Sequence, residues 1–217
     1  MNKIRIILAD DHVVVRQGIR RLLDQEDDMV VIGEADDGLK LLDMTEKLRP
    51  DVIVVDLKMP NLNGIDAAAK IKKSLPNVHT VILTMHAERA YIDRAMQAGV
   101  CGYVLKDEDM WETCTAIRHA AQGNHYLSTA VTKRLPDLKD KSTAELNPIN
   151  LLTAREREVF QMVAEGKTNQ EAADLLGIST RTVEVHRAHV NKKLNLKTHV
   201  DFVRFAMKYG ILMDREE

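Results

Sequence analysis

Cysteine is almost absent from this sequence: Cys101 and Cys114 are the only two in 217 residues. Two thiols make no disulfide framework, so both are expected to be small apolar fillers in a reducing compartment. Long hydrophobic runs are missing too, and nothing approaches the roughly 20 apolar residues of a membrane-spanning helix. Met1-Asn2-Lys3 leads straight into a strand-like run instead of a secretory leader, which points to a cytoplasmic protein with no membrane partner. There is no internal repeat and no low-complexity tract. A large charge excess is also lacking, since the formal net charge is −2. The charge is unevenly placed, however, with an acidic excess over residues 1–131 and a slight basic one over 151–217. Between 179 and 197, Arg181, Arg187, Lys192, Lys193 and Lys197 are opposed by Glu184 alone. A locally basic helix in a weakly acidic chain is a candidate nucleic-acid footprint. On charge alone, a solvated helix face fits equally well.

What is present is ordinary globular material, 45% apolar and 29% charged, enough for one or two domains. The first part alternates in character. "IRIILA", "MVVIGEA", "DVIVVD", "TVILTM" and "CGYVLK" read as strands. Helical spacing follows each: Val15, Ile19, Leu22 and Leu23, then about 38–48, 65–74, 88–97 and 108–121. Pro76, Gly99 and Gly123 supply the stops. Five strands alternating with five helices imply right-handed crossovers and a parallel sheet covered on both faces. Residues 126–149 carry mixed charge, two prolines and little periodicity, and are expected to be a linker between a domain over 1–125 and another over 150–217.

The strand ends carry the chemistry. Asp10 and Asp11 follow the first strand, Asp56 ends the third, Thr84 the fourth and Lys106 the fifth. In a parallel sheet these five share the carboxyl edge, where ligands gather. Singly, each has a plain structural explanation: Asp10 or Asp11 as the N-cap of the next helix, Asp56 as a turn carboxylate, Thr84 as a strand-end residue, Lys106 as a solvated charge. Together they are hard to explain that way. Three crowded carboxylates repel one another unless a cation holds them, and hard oxygen ligands suit Mg²⁺. A lysine and a hydroxyl add donors for phosphoryl oxygens, which is the equipment of phosphoryl transfer with Asp56 as nucleophile.

The segments "ADDH", "VDLKMPNLNG", "LTMH" and "GYVLKD" resemble the receiver domain of two-component response regulators, over about residues 3–122. That resemblance implies a flavodoxin-like, five-stranded doubly wound parallel sheet. It further implies that Asp56 takes a phosphoryl group from a sensor histidine kinase. Asp10, Asp11 and Asp56 would hold Mg²⁺ with the backbone carbonyl of Lys58, and Thr84 and Tyr103 would form a coupled switch in which the ring turns inward. The chain departs from many receivers in having Asp107, not proline, after Lys106.

From Leu151 onward the pattern is helical. Thr153 with Glu156 forms a capping box. A short helix over about 169–176, a turn at Gly177 and a second helix after Ser179 give a helix-turn-helix signal. A last helix covers about 198–208. In the second helix Val183, His186, Val190 and Leu194 share one face. The opposite face carries Arg181, Glu184, Val185 and Ala188, expected at base edges in a major groove. Lys167, Thr168, Asn169, Thr182 and Lys192 are expected at phosphates. Arg187 falls near the packing edge and has no assigned role. In the last helix Val200, Val203 and Met207 form one stripe, with Phe202 and Phe205 beside it. Either one stripe packs inward and the other serves a dimer, or both are buried.

"LTAREREV", "AEGKTNQEAADLLGIS", "TVEVH" and "KKL" resemble the LuxR-type helix-turn-helix over about 150–212, and the domain order resembles the NarL/FixJ subfamily. The resemblance implies a promoter-binding transcription regulator that forms a homodimer when phosphorylated. An aspartyl-phosphate phosphatase would be a rival, but such enzymes often place a second acid two residues after the nucleophile, where this chain has Lys58. A second rival, a receiver that dimerises without phosphate, would not need the full acid, threonine and lysine set.

Overall fold

The computed structural model describes residues 3–137, 148–209 and 211–212. The chain divides into two compact units, Met1–Ser142 and Thr143–Glu217. In the first, the strands are β1 (Ile4–Ala9), β2 (Met29–Ala35), β3 (Val52–Val55), β4 (His79–Thr84), β5 (Gly102–Leu105) and β6 (Tyr126–Leu127). The helices are α1 (Val13–Leu23), α2 (Gly38–Leu48), α3 (Gly64–Ser74), α4 (Arg89–Gln97), α5 (Met110–Ala121) and α6 (Thr129–Asp137). All pairings are parallel, in the order β2-β1-β3-β4-β5-β6. Two cores cover the sheet. Ile7, Ile53, Ile82 and Tyr103 lie on one face, and Ile6, Val54, Val81 and Val104 on the other, so each strand sends alternate residues to opposite sides. Burial on both faces is why these strands read as unbroken branched runs.

The doubly wound parallel fold agrees with the sequence reading, with one correction. The sheet has a sixth strand, and α6 follows it, so residues 126–137 belong to the first unit and not to a linker. Residues 138–147 of the expected linker lie outside the described residues.

The second unit is all helical. A 3₁₀ turn at Pro148–Leu151 precedes α7 (Ala154–Ala164), α8 (Asn169–Leu176), α9 (Thr180–Leu194) and α10 (His199–Lys208). Thr153, Thr168 and Thr198 each cap their helix in a reciprocal box with Glu156, Glu171 and Asp201. Gly177, in the left-handed region at φ 63°, closes α8 and turns the chain to Ser179, the cap of α9. Phe160 and Phe202 stack at 5.6 Å between centroids, with Phe205 edge-on to Phe160 at 5.8 Å.

Candidate functional sites

The strand order reverses direction between β1 and β3, and the acids lie at the carboxyl ends of those two strands. Asp56 N–H donates to Ala9 O at 2.8 Å, tying the end of β3 to that of β1. The loop from Leu57 to Asn63 is packed against α2 and α3 with little room. A Cβ on Gly64 would lie 2.1 Å from the Asp56 carbonyl oxygen, and one on Gly38 would lie 2.0 Å from that of Leu62. Only glycine permits these approaches, which hold the Asp56 loop in place.

Lys106 brings the acids together. Its Nζ lies 2.7 Å from Asp10 Oδ2 and 2.9 Å from Asp56 Oδ2, and all three side chains are largely buried. Asp10 Oδ1 accepts the His12 N–H at 2.9 Å, and Asp56 Oδ1 accepts the Leu57 N–H at 2.7 Å. Burial pushes the Asp56 carboxyl up; the nearby Lys106 opposes this and the Asp10 charge adds to it. Burial works against the Lys106 ammonium too, yet the two carboxylates hold it above its ordinary value. Asp11 is likewise pushed up, chiefly by burial. Asp11 Oδ1 stands 2.9 Å from His12 Nδ1 but receives no hydrogen bond among the described residues. One ligand atom each from Asp10, Asp11, His12 and Asp56 falls within 4.8 Å of the others. A buried carboxylate oxygen without a donor, beside two others, fits a hard cation.

Neither Asp10 nor Asp11 is the N-cap of α1. His12 occupies that position without a side-chain capping bond, so the capping explanation of the acids fails. Thr84 is fully buried, and its Oγ1 accepts the His86 N–H at 3.3 Å. Tyr103, which by its place in β5 could pass for a half-buried strand aromatic, is fully buried. Its ring lies wholly in the core, with the hydroxyl donating to His86 O at 2.8 Å. Lys58 follows Asp56 by two residues and is half-buried.

In the second unit Val183, Val190 and Leu194 are buried and His186 half-buried, as the periodicity predicts. Arg181, Glu184, Val185, Ala188 and Lys192 are exposed on the other side of α9. Arg181 is 84% exposed and pairs loosely with Glu184 at 3.1 Å. Thr182 lies in the first turn of α9, where its amide bonds the Ser179 cap. Thr168 caps α8, and Lys167 pairs with Glu165 at 3.1 Å. Asn169 Oδ1 accepts from Arg187 Nη1 at 3.2 Å, and the same guanidinium stands 5.8 Å from the Phe202 ring centroid. Arg187 is thereby a clamp joining α8, α9 and α10, a role that periodicity did not reveal. Lys193 also leaves the basic patch: its ammonium reaches Glu156 Oε2 at 2.6 Å and Leu151 O at 3.1 Å. In α10, Phe202 and Ala206 are buried, whereas Val200 and Met207 are exposed and Val203 half-exposed. The two stripes separate, one inward and one outward.

No helix among the described residues is long and apolar enough to cross a membrane. Residues 6–118 match the family model "Response regulator receiver domain", and residues 150–206 match "Bacterial regulatory proteins, luxR family". The oxygen regulatory protein NreC of Staphylococcus epidermidis is 34% identical over 215 residues, spanning 96% of this chain and 99% of that one. The transcriptional regulatory protein DegU of Brevibacillus brevis is 31% identical over 224 residues, 96% and 95% of the two chains. Among solved structures, RcsB from Salmonella enterica serovar Typhimurium bound to promoter P1flhDC with the phosphomimetic BeF3- is similar, with TM-score 0.63, 26% identity, and 95% and 100% coverage. Most of the first unit and of the helical second unit match these two family models, and the chain belongs to the response regulators of two-component systems that pair a receiver domain with a LuxR-type DNA-binding domain.

Proposed function

We propose that Asp56 is the phosphoacceptor for a sensor histidine kinase, and that phosphorylation controls homodimerisation and promoter binding by this cytoplasmic regulator. The observation that carries this reading is the convergence of Asp10, Asp56 and Lys106 at the switch point of the sheet, beside an Asp11 oxygen without a hydrogen-bond donor. An Asp56 carboxylate oxygen attacks phosphorus. An acyl-phosphate bond forms, the bond to the kinase imidazole nitrogen breaks, and its electron pair returns to that nitrogen. Lys106, already 2.9 Å from Asp56 Oδ2, offsets the charge brought in by the phosphoryl oxygens. Asp10, Asp11, Asp56 and the main-chain carbonyl of Lys58 would hold Mg²⁺, which when bound supplies charge neutralisation at the phosphoryl oxygens. The Thr84 hydroxyl and the buried Tyr103 ring, both linked to His86, respond together as the switch.

Incubation with acetyl phosphate and Mg²⁺ should add one phosphoryl group, located at Asp56 by mass spectrometry and absent from Asp56→Asn. Label persisting in that variant would remove the assignment.

On DNA, Arg181, Glu184, Val185 and Ala188 read base edges, while Lys167, Thr168, Asn169, Thr182 and Lys192 meet phosphates. The exposure of Arg181, Glu184, Val185, Ala188 and Lys192 on one side of α9 and of Thr168 at the start of α8, with Lys167, Asn169 and Thr182 half-buried beside them, supports this division. Arg181→Ala should cost about 1–3 kcal/mol on the best site and relax base preference there. Lys192→Ala should weaken all sequences alike and lower the salt slope by about one. Quantitative binding to a panel of duplexes at several salt concentrations separates the two, and exchanged phenotypes would reverse the face assignment. Val200, Val203 and Met207 form the dimer stripe of α10.

A further inference from the structure

The first turn of a helix carries amide groups with no partner inside the helix. Here α6 satisfies them from another element. Ala130 N–H donates to Glu108 Oε1 at 2.8 Å, and Thr129 N–H donates to Glu112 Oε1 at 3.3 Å. Ser128, fully buried, donates its hydroxyl to Glu108 Oε2, and the Tyr126 hydroxyl donates to Glu112 Oε2. Two carboxylates thus anchor the start of α6, where negative charge also suits the helix dipole.

Glu108 is at the same time part of the turn that carries Lys106. Its Oε2 accepts the Leu105 N–H at 3.1 Å, and its own N–H donates to Leu105 O at 3.2 Å. One carboxylate therefore binds the end of β5 on one side and Ser128 and Ala130 on the other. Lys106, between Leu105 and Glu108, is fixed to Asp56 Oδ2 at 2.9 Å. A group added at Asp56 replaces that carboxylate oxygen by phosphoryl oxygens farther from the strand end, so Lys106, which also lies 2.7 Å from Asp10 Oδ2, would shift toward them and draw on the short turn that carries it. Glu108 is tied to the turn by its two bonds to Leu105, whereas the Tyr126 and Ser128 amides bond Cys101 O and Tyr103 O, upstream of Leu105. A reseated turn would therefore strain the bonds from Glu108 to Ser128 and Ala130.

We propose that the Glu108 carboxylate latches the start of α6 to the phosphoacceptor edge, so that occupation of Asp56 by a phosphoryl group loosens α6. The proposal rests on Asp56 being the phosphoacceptor. The segment after β6 then carries the state of Asp56 into the chain that runs on to the DNA-binding unit. Because the coupling is an equilibrium property, it is reciprocal: whatever opens the latch strengthens phosphoryl binding by the factor with which phosphoryl binding opens it.

Full-length protein with Mg²⁺ is titrated with beryllofluoride, a phosphoryl mimic, by calorimetry, and amide exchange of residues 126–134 is followed by mass spectrometry with and without the mimic. Exchange at the start of α6 should quicken at least about fivefold in the bound form, and Glu108→Ala should bind the mimic about fivefold more tightly. Ser128→Ala, which leaves Glu108 in place, should shift affinity in the same direction by less and serves if Glu108→Ala does not fold. A purely structural Glu108 would lower thermal stability with and without the mimic alike and leave affinity unchanged. Binding with unaltered α6 exchange, or equal or weaker affinity in both variants, would overturn the latch. Failure of the parent chain to bind beryllofluoride would instead overturn the Asp56 assignment, and the latch with it.

Discussion

Lys106→Ala should lower the unfolding free energy of the receiver unit by about 3–5 kcal/mol at neutral pH, the usual cost of removing one partner from a buried ion pair. The parent ammonium bridges Asp10 and Asp56, whose side chains are 2% and 7% exposed against 12% for the lysine itself. Alanine leaves two buried carboxylates facing one another with no cation between them. The effect should depend on charge more than on lost packing, and a double-mutant cycle exposes this. Asp56→Asn placed on Lys106→Ala removes one of the two stranded charges and should restore a large part of the loss. In the parent background the same change deprives Lys106 of a partner and should give no comparable gain. Urea unfolding in metal-free buffer, followed by circular dichroism, measures all four proteins. A Lys106→Ala protein within about 1 kcal/mol of the parent would mean that the acids are compensated by solvent and not by the lysine.

The sequence made this site readable because carboxylates, a hydroxyl and an ammonium close four different strands, and the topology alone brings them to one edge. Branched runs such as Val52–Val55 are legible as strands since burial on both faces leaves no polar position to interrupt them. The segment from Tyr126 to Asp137 was misread for the opposite reason. Its strand is two residues long, its helix contains Pro136, and the groups that secure it, Glu108 and Glu112, lie well upstream in the chain. A helix capped from elsewhere leaves no local signal at its own start. In the second unit, helical periodicity sorted the faces of α9 correctly but could not see individual partners. Lys193 counted toward the basic surface until the structure bonded it to Glu156, and Arg187 gained its role only from Asn169 and Phe202, which are distant in sequence.

Phe202→Ala should cost about 3–5 kcal/mol and remove the DNA-binding unit as a folded entity near physiological temperature. All three phenylalanines of the chain, Phe160, Phe202 and Phe205, sit in this small unit, so its core depends on few large side chains. Phe202 is 1% exposed, stacks on Phe160 of α7 and lies beneath the Arg187 guanidinium that also grips Asn169 of α8. Truncation opens a cavity where α7, α9 and α10 meet, and it deprives the Arg187 clamp of its ring. A domain this small has only a few kcal/mol in hand, so one such loss is decisive. The outward stripe should behave oppositely. Val200→Ala with Met207→Ala removes exposed side chains and should change stability by about 0.5 kcal/mol or less, while weakening self-association of the phosphorylated protein. Calorimetric scans of the full chain report the two units' transitions, and sedimentation reports the dimer. In Phe202→Ala the second unit's transition should disappear or fall sharply while Asp56 remains phosphorylatable. In the stripe variant both transitions should stay, and only the dimer should suffer. If instead the stripe variant unfolds the second unit and Phe202→Ala leaves it intact, the inward and outward faces of α10 have been assigned the wrong way round.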